Sequence, residues 1–243
     1  MMLPAPFRYP LRGERGVDTV LIGGGLHLLA VYVPVLPLIV VLGYLLVVFR
    51  ETSRRADRQR YDALPPFRDV LATTRAGVGG AVVVVAYLLP AAVTLLVTVA
   101  GLSQTSIDPQ NISVGTSVGF VAGSTASLLL AVVFLYLLPA ALANYLARGR
   151  IRGAFDHEVL LRAASDGAYF YDVLVGLVAG GLLLVVARAT TAYAIGFFVA
   201  FYAELVVVGF WSRAVSRALP SVTAANTDDA TDTNDTDGAD DGA

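Results

Sequence analysis

Charge is missing from most of this chain, and the places where it is missing limit what the chain can become. Counting only Asp, Glu, Lys and Arg, 31 charge-free residues separate Asp18 from Arg50 and 32 separate Arg75 from Asp108. A further 39 separate Asp108 from Arg148, and two runs of 15 flank Arg188. A bilayer-spanning helix needs about 20 predominantly apolar residues. A soluble domain is about a quarter charged, whereas these 243 residues are 15% charged and 56% hydrophobic. The sequence predicts an all-α integral membrane protein: a bundle of five or six transmembrane helices with interfacial amphipathic segments.

The number of crossings turns on Val17–Phe49. A single helix of that length would reach roughly 50 Å at 1.5 Å per residue, well beyond a hydrocarbon core of about 30 Å. Pro34-Val35-Leu36-Pro37 interrupts it centrally, and two prolines within four residues break or kink a helix. One crossing would place 13 arginines inside and 4 outside; a hairpin turning at Pro34–Pro37 would place 16 inside and leave Arg188 outside. The positive-inside rule favours the hairpin, hence six crossings. Arms of 15–17 residues are short for it, and five remains the alternative. Both put the C-terminus in the cytoplasm.

Residues 1–16 read as an interfacial N-terminal segment, 17–219 as a polytopic transmembrane domain, and 220–243 as a disordered acidic cytoplasmic tail. The tail holds Asp228, Asp229, Asp232, Asp235, Asp237, Asp240 and Asp241, and is too polar to bury a core. Leu64, Phe67, Val70, Leu71 and Thr74 recur at helical spacing after Pro65-Pro66, which predicts a short amphipathic helix at the membrane surface. Further crossings are expected near 77–102, 118–146, 168–187 and 190–211, the last two joined by a tight turn at Arg188-Ala189-Thr190. Tyr169, Phe170 and Tyr171, with Phe210 and Trp211, fall where an aromatic belt would sit. Tyr87-Leu-Leu-Pro90-Ala-Ala recurs as Tyr136-Leu-Leu-Pro139-Ala-Ala, which reads as reuse of a kink rather than a functional repeat.

The chain has no cysteine and all 17 of its basic residues are arginine. Disulfides, cysteine-zinc sites and thiol chemistry are therefore excluded. It carries no Gly-x-Ser-x-Gly, His-Glu-x-x-His, phosphate-binding loop or dinucleotide fingerprint. Asp156-His157-Glu158 is a poor metal cluster, because consecutive helical residues point about 100° apart. No cofactor is expected. Lysine-free, aspartate-rich sequence suits a salt-rich cytoplasm.

Glu204 is the most informative residue. It lies nine residues before Arg213, roughly 13 Å along a helix, so it belongs near mid-bilayer. An ionisable group there is expensive and usually faces the bundle interior with a partner. His27 is the one comparable group. Together they form a candidate intramembrane polar site, for proton relay or cation binding; the alternative is a neutral Glu204 that only packs. Gly115, Gly119 and Gly123, and likewise Gly176 and Gly180, fall four apart, a spacing that lets membrane helices approach closely. They serve packing within the bundle or a homo-oligomer. Arg50, Arg54, Arg55 and Arg58 form a juxtamembrane cluster suited to anionic lipid headgroups. Asn111-Ile112-Ser113 is a glycosylation sequon on the arginine-free side.

Arg8-Tyr9-Pro10-Leu11-Arg12-Gly13-Glu14, the Val20-Leu21-Ile22-Gly23-Gly24 that follows, Gly43-Tyr44-Leu45 before Arg50, and Pro65-Pro66-Phe67-Arg68-Asp69 together resemble domain of unknown function 4013. The resemblance covers roughly residues 7–215. It implies a membrane location and a haloarchaeal source, and no activity.

The sequence thus reads as a non-enzymatic protein of the cell membrane, a scaffold or an organiser of the envelope. The competing reading is a small-solute or ion permease using Glu204 and His27. The expected partner is the lipid bilayer, and no nucleic acid is expected.

Overall fold

The computed structural model describes residues 5–12, 16–55, 61–67, 70–103 and 114–228. Every regular element among them is helical. In chain order these are α1 (Ala5–Arg8), α2 (Gly16–Leu29), α3 (Leu36–Arg54), α4 (Val70–Ser103) and α5 (Val114–Arg148). They continue as α6 (His157–Ala164), α7 (Gly167–Thr190), α8 (Ile195–Ala218) and α9 (Pro220–Asp228), with single 3-10 turns at Tyr9–Leu11, Ile151–Phe155 and Thr191–Tyr193. Five helices are long and apolar enough to cross a membrane: α3, α4, α5, α7 and α8. This is a multi-pass helical membrane protein.

The first apolar block breaks where its prolines predict. The α2 helix ends at Leu29, residues 30–35 turn, and α3 begins at Leu36. Val35 has φ 77° and ψ −59°, and the Leu36 N–H donates to the Pro34 carbonyl at 3.0 Å. That is a γ-turn of the strained hand, unusual for a β-branched residue. The two arms pack against each other, with Thr19 beside the Tyr44 hydroxyl, so the chain has reversed. At 14 residues α2 reaches only about 21 Å, short of a full crossing.

The α8 helix is the hub. It packs against α2, α3 and α7 and also touches α1, α5, α6 and α9. Phe201, Leu205, Val206, Phe210, Ala214 and Val215 on it are buried. The α4 and α5 helices pair with each other, and α4 leans on α3.

Several expectations need correction. Leu64 and Phe67 do not join a surface helix with Val70, Leu71 and Thr74. The prolines hold 61–67 out of helix, Tyr44 donates to the Pro65 carbonyl at 2.7 Å, and Phe67 stacks on Tyr44 at 3.8 Å. The α4 helix begins only at Val70. A short amphipathic helix exists instead at α6. The N-terminal segment is not merely interfacial. Tyr9 is fully buried, hydrogen-bonded to Thr52 at 3.0 Å and edge-on to Tyr61, and this burial pushes its phenol pKa up. Tyr202 donates to the Phe7 carbonyl at 2.5 Å.

The tight turn lies later than expected, at residues 191–194. The Thr190 and Thr191 hydroxyls bond the Val186 and Ala187 carbonyls, carrying α7 past Arg188, and Ala194 turns the chain in the left-handed region at φ 59°. The first nine residues of the expected disordered tail form α9, where Val222 packs on the core; residues 229–243 lie outside the described residues. Tyr169, Phe210 and Trp211 are buried inside the bundle rather than in a belt, while Phe170 and Tyr171 are exposed.

Proline inside α5 is accommodated by a tyrosine. The Ala140 N–H would ordinarily donate to the carbonyl four residues back, that of Tyr136. It also donates to the Tyr169 hydroxyl at 3.2 Å, which in turn donates to the Tyr136 carbonyl at 2.9 Å. The Tyr169 hydroxyl thus bridges two backbone groups of α5 beside Pro139. The two tyrosines of the Tyr-Leu-Leu-Pro echo also have parallel roles. Tyr87 donates to the Ala154 carbonyl at 2.6 Å and Tyr136 to that of Ala164 at 3.0 Å, both in the segment joining α5 to α7.

Tyr169→Phe removes two buried hydrogen bonds to the α5 backbone, a loss of about 2 kcal/mol. We expect the midpoint of thermal unfolding in detergent to fall by about 5 °C, with Tyr171→Phe, at an exposed position, as the unchanged control.

Candidate functional site

Two glycines bring the candidate site together. A Cβ on Gly23 would meet the Phe201 ring, and one on Gly24 would meet Phe198, backbone included. Without side chains there, α2 lies directly on α8. One turn further along α2, His27 then comes within reach of Glu204: its Nε2 lies 3.1 Å from Glu204 Oε1. The pair predicted from two isolated polar residues, 177 positions apart, is assembled by the fold.

The second ring nitrogen fixes the chemistry. His27 Nδ1 lies 3.0 Å from the Gly23 carbonyl, which only accepts, so Nδ1 carries a proton. Nε2 then carries one only when the ring is charged. The contact is either imidazolium on carboxylate or neutral imidazole accepting from a carboxylic acid, with one proton shared between the two groups. His27 is nearly enclosed, with 12% of its side chain exposed, against 34% for Glu204.

The other carboxyl oxygen, Glu204 Oε2, is buried and has no protein hydrogen-bond partner. Glu204 lines a cavity of about 230 Å³ whose other walls include Leu42, Leu45, Phe49, Leu138 and Trp211. A half-satisfied carboxylate on the wall of an apolar space suits ligand binding or proton exchange better than packing.

A second polar cluster was missed. Asp172 on α7 is fully buried. It accepts both arms of Arg213, the Nε contact at 3.0 Å, and Arg217 at 3.2 Å. Arg213 also lies over the Phe210 ring at 5.4 Å. The readable signal was Arg213 and Arg217 four apart on one helix face; nothing in the sequence says that Asp172 faces them.

Among the small residues, Gly123 lies against Thr98 of α4, Gly176 against Phe210 and Trp211, and Gly180 against Val207. A Cβ at Gly119 would meet open space. Gly115 lies in α5, with its surroundings outside the described residues. Arg55 donates to the Ala63 carbonyl at 2.8 Å and pairs with Glu51, while Arg50 and Arg54 are exposed. Arg58 and Asn111 lie outside the described residues. In Asp156-His157-Glu158, the aspartate caps α6 by accepting from the Glu158 N–H at 3.2 Å and holds Arg148 at 2.5 Å. Arg188 is exposed near the end of α7.

Residues 26–201 match the family model described as Protein of unknown function (DUF4013). The chain belongs to that family. The DUF4013 match takes in His27 and Asp172 and stops three residues short of Glu204. No curated protein and no solved structure matches the chain.

If the pair is one coupled unit, removing half of it costs more than removing both. His27→Leu alone strands the carboxylate, at about 2 kcal/mol given Glu204's partial exposure, and His27→Leu with Glu204→Leu recovers most of that. A double-mutant cycle on thermal unfolding reads the coupling; additive losses would mean the two groups act independently.

Proposed function

We propose that this DUF4013 chain is a non-enzymatic membrane protein that binds a small solute inside the bundle, in the manner of a permease, with Glu204 and His27 as the polar centre of the site. One observation carries the reading: Glu204 is paired through Oε1 and unpartnered at Oε2, beside a cavity. A residue kept only for packing would have both oxygens answered. The shared proton gives the site two charge states that could follow solute entry and exit.

The arginine distribution supports a cell-membrane orientation with the C-terminus cytoplasmic. In that orientation exposed Arg50 and Arg54 meet anionic headgroups on the inner leaflet. A scaffold role is the second reading. It is favoured by the outer parts of α4 and α5, whose outward residues, such as Leu96, Val97, Val121 and Leu128, are exposed and available to lipid or to another copy of the chain.

The cysteine-free chain makes the test direct. A single cysteine replaces Glu204, then His27, and intact cells and inverted vesicles are treated with a membrane-impermeant maleimide; a cysteine in the tail reports orientation. We expect labelling at both positions, and tail labelling in inverted vesicles only. Protection of both from either side would overturn the permease reading in favour of the scaffold.

A further inference from the structure

The segment that joins α5 to α7 builds a basic cleft. Helix α5 stops where Gly149 enters the left-handed region at φ 61°, and the 3-10 turn at Ile151–Phe155 follows. That turn is folded back onto the bundle and held there. Asn144 of α5 donates to the Gly153 carbonyl at 2.7 Å, and Tyr87 of α4 to that of Ala154 at 2.6 Å. Both bonds are buried, as are Gly153 and Ala154. A Cβ at Gly153 would lie 3.0 Å from the Asn144 carbonyl oxygen, so the missing side chain lets the turn come this close.

The fixed turn gathers like charges. Arg148, Arg150, Arg152 and His157 line a cleft of about 590 Å³ together with Gly153 and Asp156. Asp156 is the one carboxylate on that lining, and both of its oxygens are engaged. One accepts from the Glu158 N–H and the other pairs with Arg148. Arg150 and Arg152 are exposed, and neither guanidinium has a hydrogen bond or ion pair among the described residues. Three arginines against one aspartate leave the lining with two uncompensated positive charges, His157 taken as neutral. A cleft lined by one sign of charge concentrates the opposite sign. The guanidinium fork matches the oxygens of a phosphate in particular.

The surroundings of the cleft separate a lipid phosphate from a free one. The lining begins at Arg148, the last residue of the α5 membrane span. Beside its arginines stand Ile151 and Phe155, 42% and 51% exposed, and Leu161 on α6 is 62% exposed. Apolar side chains left outside among arginines mark a segment seated at a membrane surface, and basic pockets next to spanning helices hold lipid headgroups. We propose that this cleft binds the headgroup phosphate of an anionic phospholipid, with Arg150 and Arg152 as its ligating side chains and Arg148 held beside them by Asp156. The cleft shares no lining residue with the cavity at Glu204, so the proposal stands whether or not that cavity binds a solute.

The full chain in detergent is given equal amounts of phosphatidylglycerol and phosphatidylcholine with the same acyl chains, and native mass spectrometry counts the lipids retained. Both carry a phosphate, but choline cancels its charge in the second. Expected is retention of phosphatidylglycerol over phosphatidylcholine by about tenfold. Arg150→Gln with Arg152→Gln brings that ratio close to one. Arg162→Gln with Arg188→Gln removes the same charge from exposed positions off the lining and keeps the ratio. Inorganic phosphate in tenfold excess leaves the lipid bound.

Equal retention of the two lipids by the unaltered chain overturns the proposal without recourse to any variant. A preference that survives Arg150→Gln with Arg152→Gln places the lipid at other arginines, such as Arg50 and Arg54, and overturns it as well. Loss of the preference in both variants alike makes it an effect of net charge and removes the cleft from the account. Displacement of phosphatidylglycerol by inorganic phosphate makes the ligand a free phosphate, and the lipid falls.

Discussion

A proline inside a membrane helix frees a backbone carbonyl with no water to turn to, and beside both such prolines here a side chain from a neighbouring helix bonds the backbone. In lipid every unsatisfied N–H or C=O costs several kcal/mol. Beside Pro139 the Tyr169 hydroxyl of α7 accepts from the Ala140 N–H and donates to the Tyr136 carbonyl. Beside Pro90, Ser127 on α5 bonds the Ala91 carbonyl at 2.9 Å, while Thr94 bonds the Pro90 carbonyl within α4. The Tyr169 and Ser127 bonds tie each proline-bearing helix to a particular neighbour, so the packing is pinned where the prolines lie.

Close backbone contact does the remaining positioning. Gly43 and Gly77 bring α3 and α4 together, each lying against backbone of the other helix, as Gly23 and Gly24 bring α2 onto α8. Between these contacts and the cavity, α8 carries most of the polar chemistry on one helix. Glu204 faces His27 at one level, Trp211 lines the apolar space two turns on, and Arg213 and Arg217 close on Asp172 beyond it. The carboxylates differ in a telling way. Asp172 has both oxygens occupied and holds α7 to α8, whereas Glu204 keeps one oxygen free.

What could be read from the sequence followed from length, charge and proline. The charge pattern favoured six crossings over five, whereas five helices are long and apolar enough to cross and α2 is shorter; Pro34 and Pro37 located the reversal after α2. Glu204 and His27 could be paired because each was alone among apolar residues, so each had no other partner to find. Where several partners competed, the sequence was silent. Asp172 follows exposed Phe170 and Tyr171, and only the packing of α7 on α8 turns it toward two arginines. Trp211 resembled a belt residue because a belt and a buried cavity wall demand the same amphipathic ring. Tyr9 resembled a surface residue because burial of the N-terminal segment depends on Thr52 and Tyr61, 43 and 52 positions away. The start of the tail was read as too polar to fold, yet Val222 finds apolar contacts that the composition of its own segment does not reveal.

The candidate membrane span of α4 covers 31 residues, Leu71–Gly101, and that of α5 also 31, Val118–Arg148. Each measures about 46 Å, half as long again as a hydrocarbon core of about 30 Å. Such a pair must lean steeply, bend at its prolines, or thicken the membrane around itself. The α3 helix, at 19 residues, imposes no such demand. On the α4–α5 flank, Pro90 and Pro139 offer a place to bend, and so a means of fitting a long helix pair into a thinner membrane.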